Sequence, residues 1–174
     1  MKSLVLLYGS VLFFSACKRE KDAYLRSFTR EQSDCLAALC EQVIPADDAP
    51  GATDAGVVYY IDTVVSLHFP ELRDTYQKGI SALQASCRAL YNSPFESLSS
   101  EKQIAVMKQM ENQTLPEEYW KEISSGSFME MIVRHTMQGF YGSPRHGGNK
   151  DYVSYRMLKL DYPLLIGQNR YRHG

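Results

Sequence analysis

The chain has 174 residues, a formal net charge of −1 and 22% charged residues of mixed sign. That length suggests one domain once any leader is removed. With no basic run beyond Lys18-Arg19, the charge gives no field directed at nucleic acid.

The first residues carry an address rather than a fold. Lys2 forms a short positive start, and Leu4 to Phe14 is an apolar run too short to span a bilayer as a helix. Ser15-Ala16 then lead into Cys17. This order resembles a bacterial lipoprotein signal in which Cys17 is lipidated and becomes the mature N-terminus, although Phe14 stands where Leu is usual. An ordinary signal peptide cut after Ala16, or an uncleaved anchor, is the alternative. We read residues 1–17 as the signal, 18–27 as a polar tether and 28–174 as the folded domain. The expected product is a membrane-anchored lipoprotein facing the periplasm.

Thr29-Arg30-Glu31-Gln32 reads as a capping box opening a first helix. Leu36, Leu39, Cys40, Val43 and Ile44 recur on one face of it, and Pro45 stops it. After an acidic turn, Thr53 can cap a second helix whose apolar face runs Val57, Val58, Ile61, Val64, Val65 and His68. His68 extends that stripe and reads as a packed or half-exposed histidine. A third helix, from about Glu71 to Tyr91, carries Leu72, Tyr76, Ile80, Leu83, Cys87 and Leu90 at bundle-seam spacing.

Phe95 and Leu98 form an apolar link. Ser100-Glu101-Lys102-Gln103 reads as a second capping box, with Ile104, Met107 and Met110 following on one side. Pro116 suits the first turn of another helix, with Tyr119, Trp120 and Ile123 as its apolar content. Phe128, Met131, Ile132 and His135 continue to Gly139, a suitable C-terminal glycine. A glycine-rich stretch, Gly139 to Asp151, then precedes a last helix from Lys150 to about Leu160, with Pro163 and Gly167 in a short tail. No stretch alternates as a strand. The expected fold is all-α, a single compact bundle of six to seven helices with a structured glycine-rich loop before the last one.

Besides Cys17, Cys35, Cys40 and Cys87 remain. An odd number in an exported chain leaves one thiol free or paired with another chain. Cys35 and Cys40 lie about 140° apart around a helix, so bridging them requires distortion. Burial as small hydrophobes is the plain reading for Cys40 and Cys87; a Cys35–Cys87 or Cys40–Cys87 bridge stays open.

Candidate chemistry centres on the glycine-rich stretch, and no reactive pattern matches. Arg145, Gly147, Gly148 and Lys150 before a helix could hold an anion, yet neither phosphate-loop nor dinucleotide spacing is present. His135, His146, Asp47, Asp48 and Asp151 could converge on a metal, but no two histidines share a helix at ligand spacing. Ser143 lies in no nucleophile elbow. No flavin or haem attachment pattern exists, so no cofactor is expected on this chain. What remains is a recognition surface. Phe140, Tyr141, Arg145, His146 and Asn149 are the expected partner-contact residues, since Tyr and Arg are favoured at interface hot spots.

Several blocks in order resemble the gluconate 2-dehydrogenase subunit 3 family. They are Val43-Ile44-Pro45-Ala46-Asp47, Pro50-Gly51-Ala52, Ala55-Gly56-Val57 and Tyr59-Tyr60-Ile61-Asp62, then Gly139-Phe140-Tyr141 and Pro144-Arg145-His146-Gly147-Gly148-Asn149. Together they span roughly Phe28 to Pro163. The resemblance implies a small, cofactor-free subunit without an active site of its own. Its partners would be a large FAD-containing dehydrogenase acting on a sugar or sugar acid, and a cytochrome subunit carrying haem c. Two features depart from the family. Tyr155 is the nearest aromatic where a Trp is usual after the loop, and the leader lacks twin arginines. A lipoprotein leader does not easily carry a folded partner, so the flavoprotein is expected to bring its own export signal. A free-standing lipoprotein binding a small anion or sugar at the loop is the competing reading.

Overall fold

The computed structural model describes residues 25–160. Cys17 and the tail at Pro163 and Gly167 lie outside them. Six α-helices follow in order: α1 (Arg30–Val43), α2 (Val57–Thr63), α3 (Leu72–Tyr91), α4 (Ser100–Glu111), α5 (Ser125–Tyr141) and α6 (Val153–Met157). Short 3₁₀ turns link several of them, and a π-helical stretch, Val64–His68, extends α2. No strand occurs among the described residues. The all-α expectation holds.

Helix α5 is the axis of the bundle, packing against each of the other helices. Its buried face runs Phe128, Met131, Ile132, His135, Thr136, Gly139 and Phe140, a three/four pattern that lasts almost to its end. Leu36 and Leu39 of α1, Ile61 of α2, Tyr76 and Leu83 of α3, and Val106 and Met110 of α4 fill the same core. Burying side chains of this size contributes roughly 1.5–3 kcal/mol each, and this is what gathers helices whose individual propensities are modest.

The ends of α1 are as read. The Thr29 hydroxyl accepts from the Gln32 amide at 3.3 Å, and the Gln32 side chain accepts from the Thr29 amide at 3.0 Å. Contacts with the bundle begin before Phe28. The Asp62 carboxylate accepts from the Arg26 amide with both oxygens at 3.0 Å and from the Ser27 amide at 2.8 Å. Leu25 packs on the core beside them. The chain at Arg26 and Ser27 is therefore fastened to α2.

Other boundaries move. Thr53 lies in the turn before α2, whose N-cap is Gly56 in a left-handed conformation. The second capping box is absent. Ser99 is the N-cap of α4, and the Ser100 hydroxyl donates to Gln42 Oε1 at 3.2 Å instead. Gln103 is drawn inward, donating to the Phe95 carbonyl at 3.0 Å and accepting from Gln42 at 2.7 Å. Gln84 accepts from the Phe95 amide at 2.9 Å, so two glutamines hold the backbone of one buried phenylalanine. With Gln103 inside, Val106 takes the core position and Ile104 faces solvent.

The element expected after Pro116 is a single 3₁₀ turn, Glu117–Tyr119. Trp120 is nevertheless buried, its indole donating to the Ser86 hydroxyl at 3.0 Å. Leu90 is exposed at the end of the α3 seam, where Asn92 turns the chain in a left-handed C-cap.

Candidate functional site

The glycine-rich stretch is partly helix. Gly139, Phe140 and Tyr141 belong to the last turn of α5, and the C-cap is Gly142. Gly139 is not a helix stop; it is a close-approach residue. A Cβ there would stand 2.9 Å from the ring of Tyr60, whose hydroxyl donates to Gln138 at 3.1 Å. Absence of a side chain lets α2 lie flush on α5.

Beyond Gly142 the chain folds back on the helix it has left. Pro144–His146 makes a 3₁₀ turn, and Gly147 reverses it with φ of 99°. Gly148 then packs its backbone against the carbonyl of Gly139, leaving no room for a Cβ. Asn149 follows, fully buried. Its amide donates to the Gly142 carbonyl at 2.8 Å, and its carbonyl oxygen accepts from the Ser154 amide at 2.9 Å. The Tyr155 hydroxyl donates to the same Gly142 carbonyl at 3.1 Å. Tyr155 thus joins the loop by its phenol.

The last helix is shorter than expected. Asn149, Asp151 and Tyr152 have φ of 46°, 55° and 58°, so Lys150–Tyr152 forms only a 3₁₀ turn. Helical geometry starts at Val153 and ends at Met157.

These placements divide the five expected contact residues. Phe140 and Asn149 are both 0% exposed and belong to the interior, which corrects their assignment to the surface. Phe140 lies on the core face of α5, and its ring meets Tyr141 edge-on at 4.9 Å between centroids. Tyr141, Arg145 and His146 face solvent. Two exposed residues that the periodicity did not single out extend this surface: Met137 and Val133 lie four and eight residues before Tyr141 on α5. Tyr59, whose carbonyl lies against Gly147, is also exposed, as are Leu67 and Phe69 on either side of His68.

The other candidate chemistry disperses. His135 is buried, with Nδ1 2.6 Å from the Tyr76 hydroxyl. Burial, then the Arg134 charge, lowers its pKa below the ordinary histidine value. Asp47 bonds the Ala49 amide at 2.9 Å in its own turn. Among the described residues no group of three His, Cys, Asp or Glu side chains is placed to hold a metal. The Ser143 hydroxyl accepts from Arg145 Nε at 3.2 Å. The amides of His146, Gly147 and Lys150 bond the carbonyls of Ser143, Pro144 and Ala55, so the loop amides turn inward rather than toward an anion.

Cys35, Cys40 and Cys87 are free and buried. Burial pushes the Cys40 thiol up to about 12, partly offset by the hydrogen bond with Thr136 at 3.2 Å. Desolvation likewise raises Cys35, with smaller contributions from Glu96 and the other two thiols. All three are packing groups rather than nucleophiles.

Two shallow surface depressions, of about 460 and 550 Å³, lie along α4/α5 and beside α3. Among the described residues no helix is long and apolar enough to cross a membrane.

The family model described as gluconate 2-dehydrogenase subunit 3 matches residues 30–161, which covers all six helices and the folded-back loop. The chain belongs to that family. No curated protein and no solved structure matches it.

Proposed function

We propose that this chain is a non-catalytic accessory subunit. It assembles an FAD-dependent, gluconate 2-dehydrogenase-like sugar or sugar-acid dehydrogenase and tethers it to the membrane through a lipid on Cys17. The observation that carries the reading is the family match over 30–161. In this reading the partner subunits hold the cofactors, FAD in the large one and haem c in a cytochrome. This chain supplies a rigid face.

The geometry is consistent with that role. Val133, Met137 and Tyr141 form an exposed apolar stripe on the helix that all the others support. Arg145 and His146 sit at its end on a loop fixed by buried hydrogen bonds. A preorganised aromatic and arginine surface loses little conformational freedom on docking.

The test is gentle detergent extraction of membranes from the native source, followed by affinity capture. A flavoprotein should accompany the chain, and Cys17→Ala should release the chain from the membrane fraction. Capture without a flavoprotein, together with unchanged sugar-dependent dye reduction after deletion of the gene, would refute the reading.

A further inference from the structure

We propose that His68 and His146 form a two-histidine site for one late first-row divalent metal ion, open to solvent on its remaining positions. The two residues are far apart in sequence and come from different elements. His68 is the last residue of the π-helical stretch after α2, and His146 the last of the 3₁₀ turn after α5. Both side chains are exposed, and their ring centroids lie 6.1 Å apart with planes at 72°.

That separation suits a shared ion. A ring nitrogen lies about 1.1 Å from its ring centre, and nitrogen–metal distances are about 2.0–2.1 Å, so each centroid stands about 3.2 Å from the metal. Two imidazoles on one ion then have centroids about 4.5 Å apart at a right angle, about 5.2 Å at a tetrahedral angle and about 6.4 Å in line. The observed value falls inside this range. Less than about 1 Å of closure reaches the tetrahedral spacing, within the rotamer freedom of two exposed side chains.

Both backbones are held in place. The π-helical turn closes through the Phe69 amide on the Val64 carbonyl at 2.8 Å. A π-helical turn costs regular helix geometry and is found disproportionately at functional positions; here it sets where His68 projects. On the other side, Gly147 fixes the end of the His146 turn against α2, where a Cβ would stand 2.9 Å from the Tyr59 carbonyl oxygen. The Arg145 guanidinium, the nearest cation in sequence, is bonded to Ser143 at 3.2 Å.

Imidazole pairs without thiolate select borderline ions, in the order nickel below copper and copper above zinc. Among the described residues no third histidine, cysteine or carboxylate joins the pair. Water therefore completes the coordination, and binding is reversible and of moderate strength.

The test uses the full-length chain without a polyhistidine tag, titrated with Cu²⁺, Ni²⁺ and Zn²⁺ salts by calorimetry at pH 7.5. One equivalent of copper should bind, more tightly than nickel or zinc. His68→Ala and His146→Ala should each weaken it about tenfold or more, and His173→Ala should leave it unchanged. In parallel, substoichiometric Ni²⁺ or Cu²⁺ should broaden the ring-proton NMR signals of His68 and His146 ahead of those of His135. Copper affinity retained by both single variants, or broadening that does not begin at these two rings, overturns the proposal. This outcome is independent of whether a flavoprotein partner is captured.

Discussion

The buried side chain of Asn149 donates to the carbonyl of Gly142 at 2.8 Å, tying the end of the glycine-rich loop to the end of α5. The same side chain accepts from the Ser154 amide at 2.9 Å, so one residue closes the exit from α5 and the entry to α6. Asn149 also has φ of 46°, a conformation that Asn tolerates better than most residues. Asn149→Ala should cost about 1–3 kcal/mol, from the Ser154 amide left unpaired and the Gly142 carbonyl left with the Tyr155 hydroxyl alone. Asn149→Asp keeps the acceptor and loses the donor, and should fall between. Urea midpoints at unchanged slope would confirm this; equal stability of all three chains would mean that the loop is not fastened through this side chain.

Gly148 makes the same point by sterics. Its backbone rests on the Gly139 carbonyl with no space for a Cβ. Gly148→Ala must lift the loop off α5 and should destabilise by about 1–3 kcal/mol. Amide exchange should quicken at 144–154 and stay unaltered in α3. A uniform change across the chain would instead indicate global loosening.

Much of this fold is legible in the residues, because burial and local chemistry agree. The Thr29–Gln32 box forms as spaced, and the α3 seam from Tyr76 to Cys87 is buried. The failures occur where a side chain found a better partner elsewhere. Gln103 left its capping position for the Phe95 carbonyl and Gln42. Gly139 reads as a stop because glycine often ends helices, but here it makes room for Tyr60. Three left-handed residues that are not glycine shortened α6, and no periodicity reveals them. The burial of Phe140 was readable: Phe128, Ile132, Thr136 and Phe140 recur every four residues on one face of α5. The exposed set Val133, Met137 and Tyr141 is one residue out of phase with it.

Asp62 should control how the chain just before α1 is held to the bundle. It is a buried carboxylate accepting backbone hydrogen bonds from Arg26 and Ser27. Hydrogen bonds to an ionised acceptor contribute about 1.5–3 kcal/mol. Asp62→Asn should lose a share of that and make the chain near Arg26 an early site of limited tryptic cleavage. The α5 core should remain protected. Unchanged cleavage kinetics would show that this segment is held by Leu25 and Phe28 packing alone.

His135 should make stability depend on pH in a defined direction. Its pKa is lowered in the folded state, mainly by burial, so the unfolded chain binds the proton more readily. Stability from this group is complete above the unfolded value of about 6.5 and declines as pH falls from there toward the lowered folded value. Unfolding free energies at pH 7.5, 6.5 and 5.5 should therefore fall in that order. His135→Gln should flatten the decline, at a cost in stability at pH 7.5 from the altered contact with Tyr76. An identical pH slope in the variant would assign the decline to other groups.

The face of the bundle and its interior should respond differently to substitution. Phe140 is fully buried and Tyr141 is 39% exposed, although they are adjacent. Phe140→Ala should cost about 3–5 kcal/mol through the cavity left in the core. Arg145→Ala should change stability by no more than about 0.5 kcal/mol, as exposed substitutions do, and Tyr141→Ala by about 0.5–1.5 kcal/mol through its edge-on contact with Phe140. If this face docks the flavoprotein, those two variants should still reduce its recovery in detergent pull-downs about tenfold, the loss expected when one hot-spot residue is truncated. Full recovery by both would move the docking surface away from the α5 stripe, most directly to the exposed Tyr59, Leu67 and Phe69. Val133→Ser paired with Met137→Ser distinguishes the two cases, since those residues belong to α5 alone.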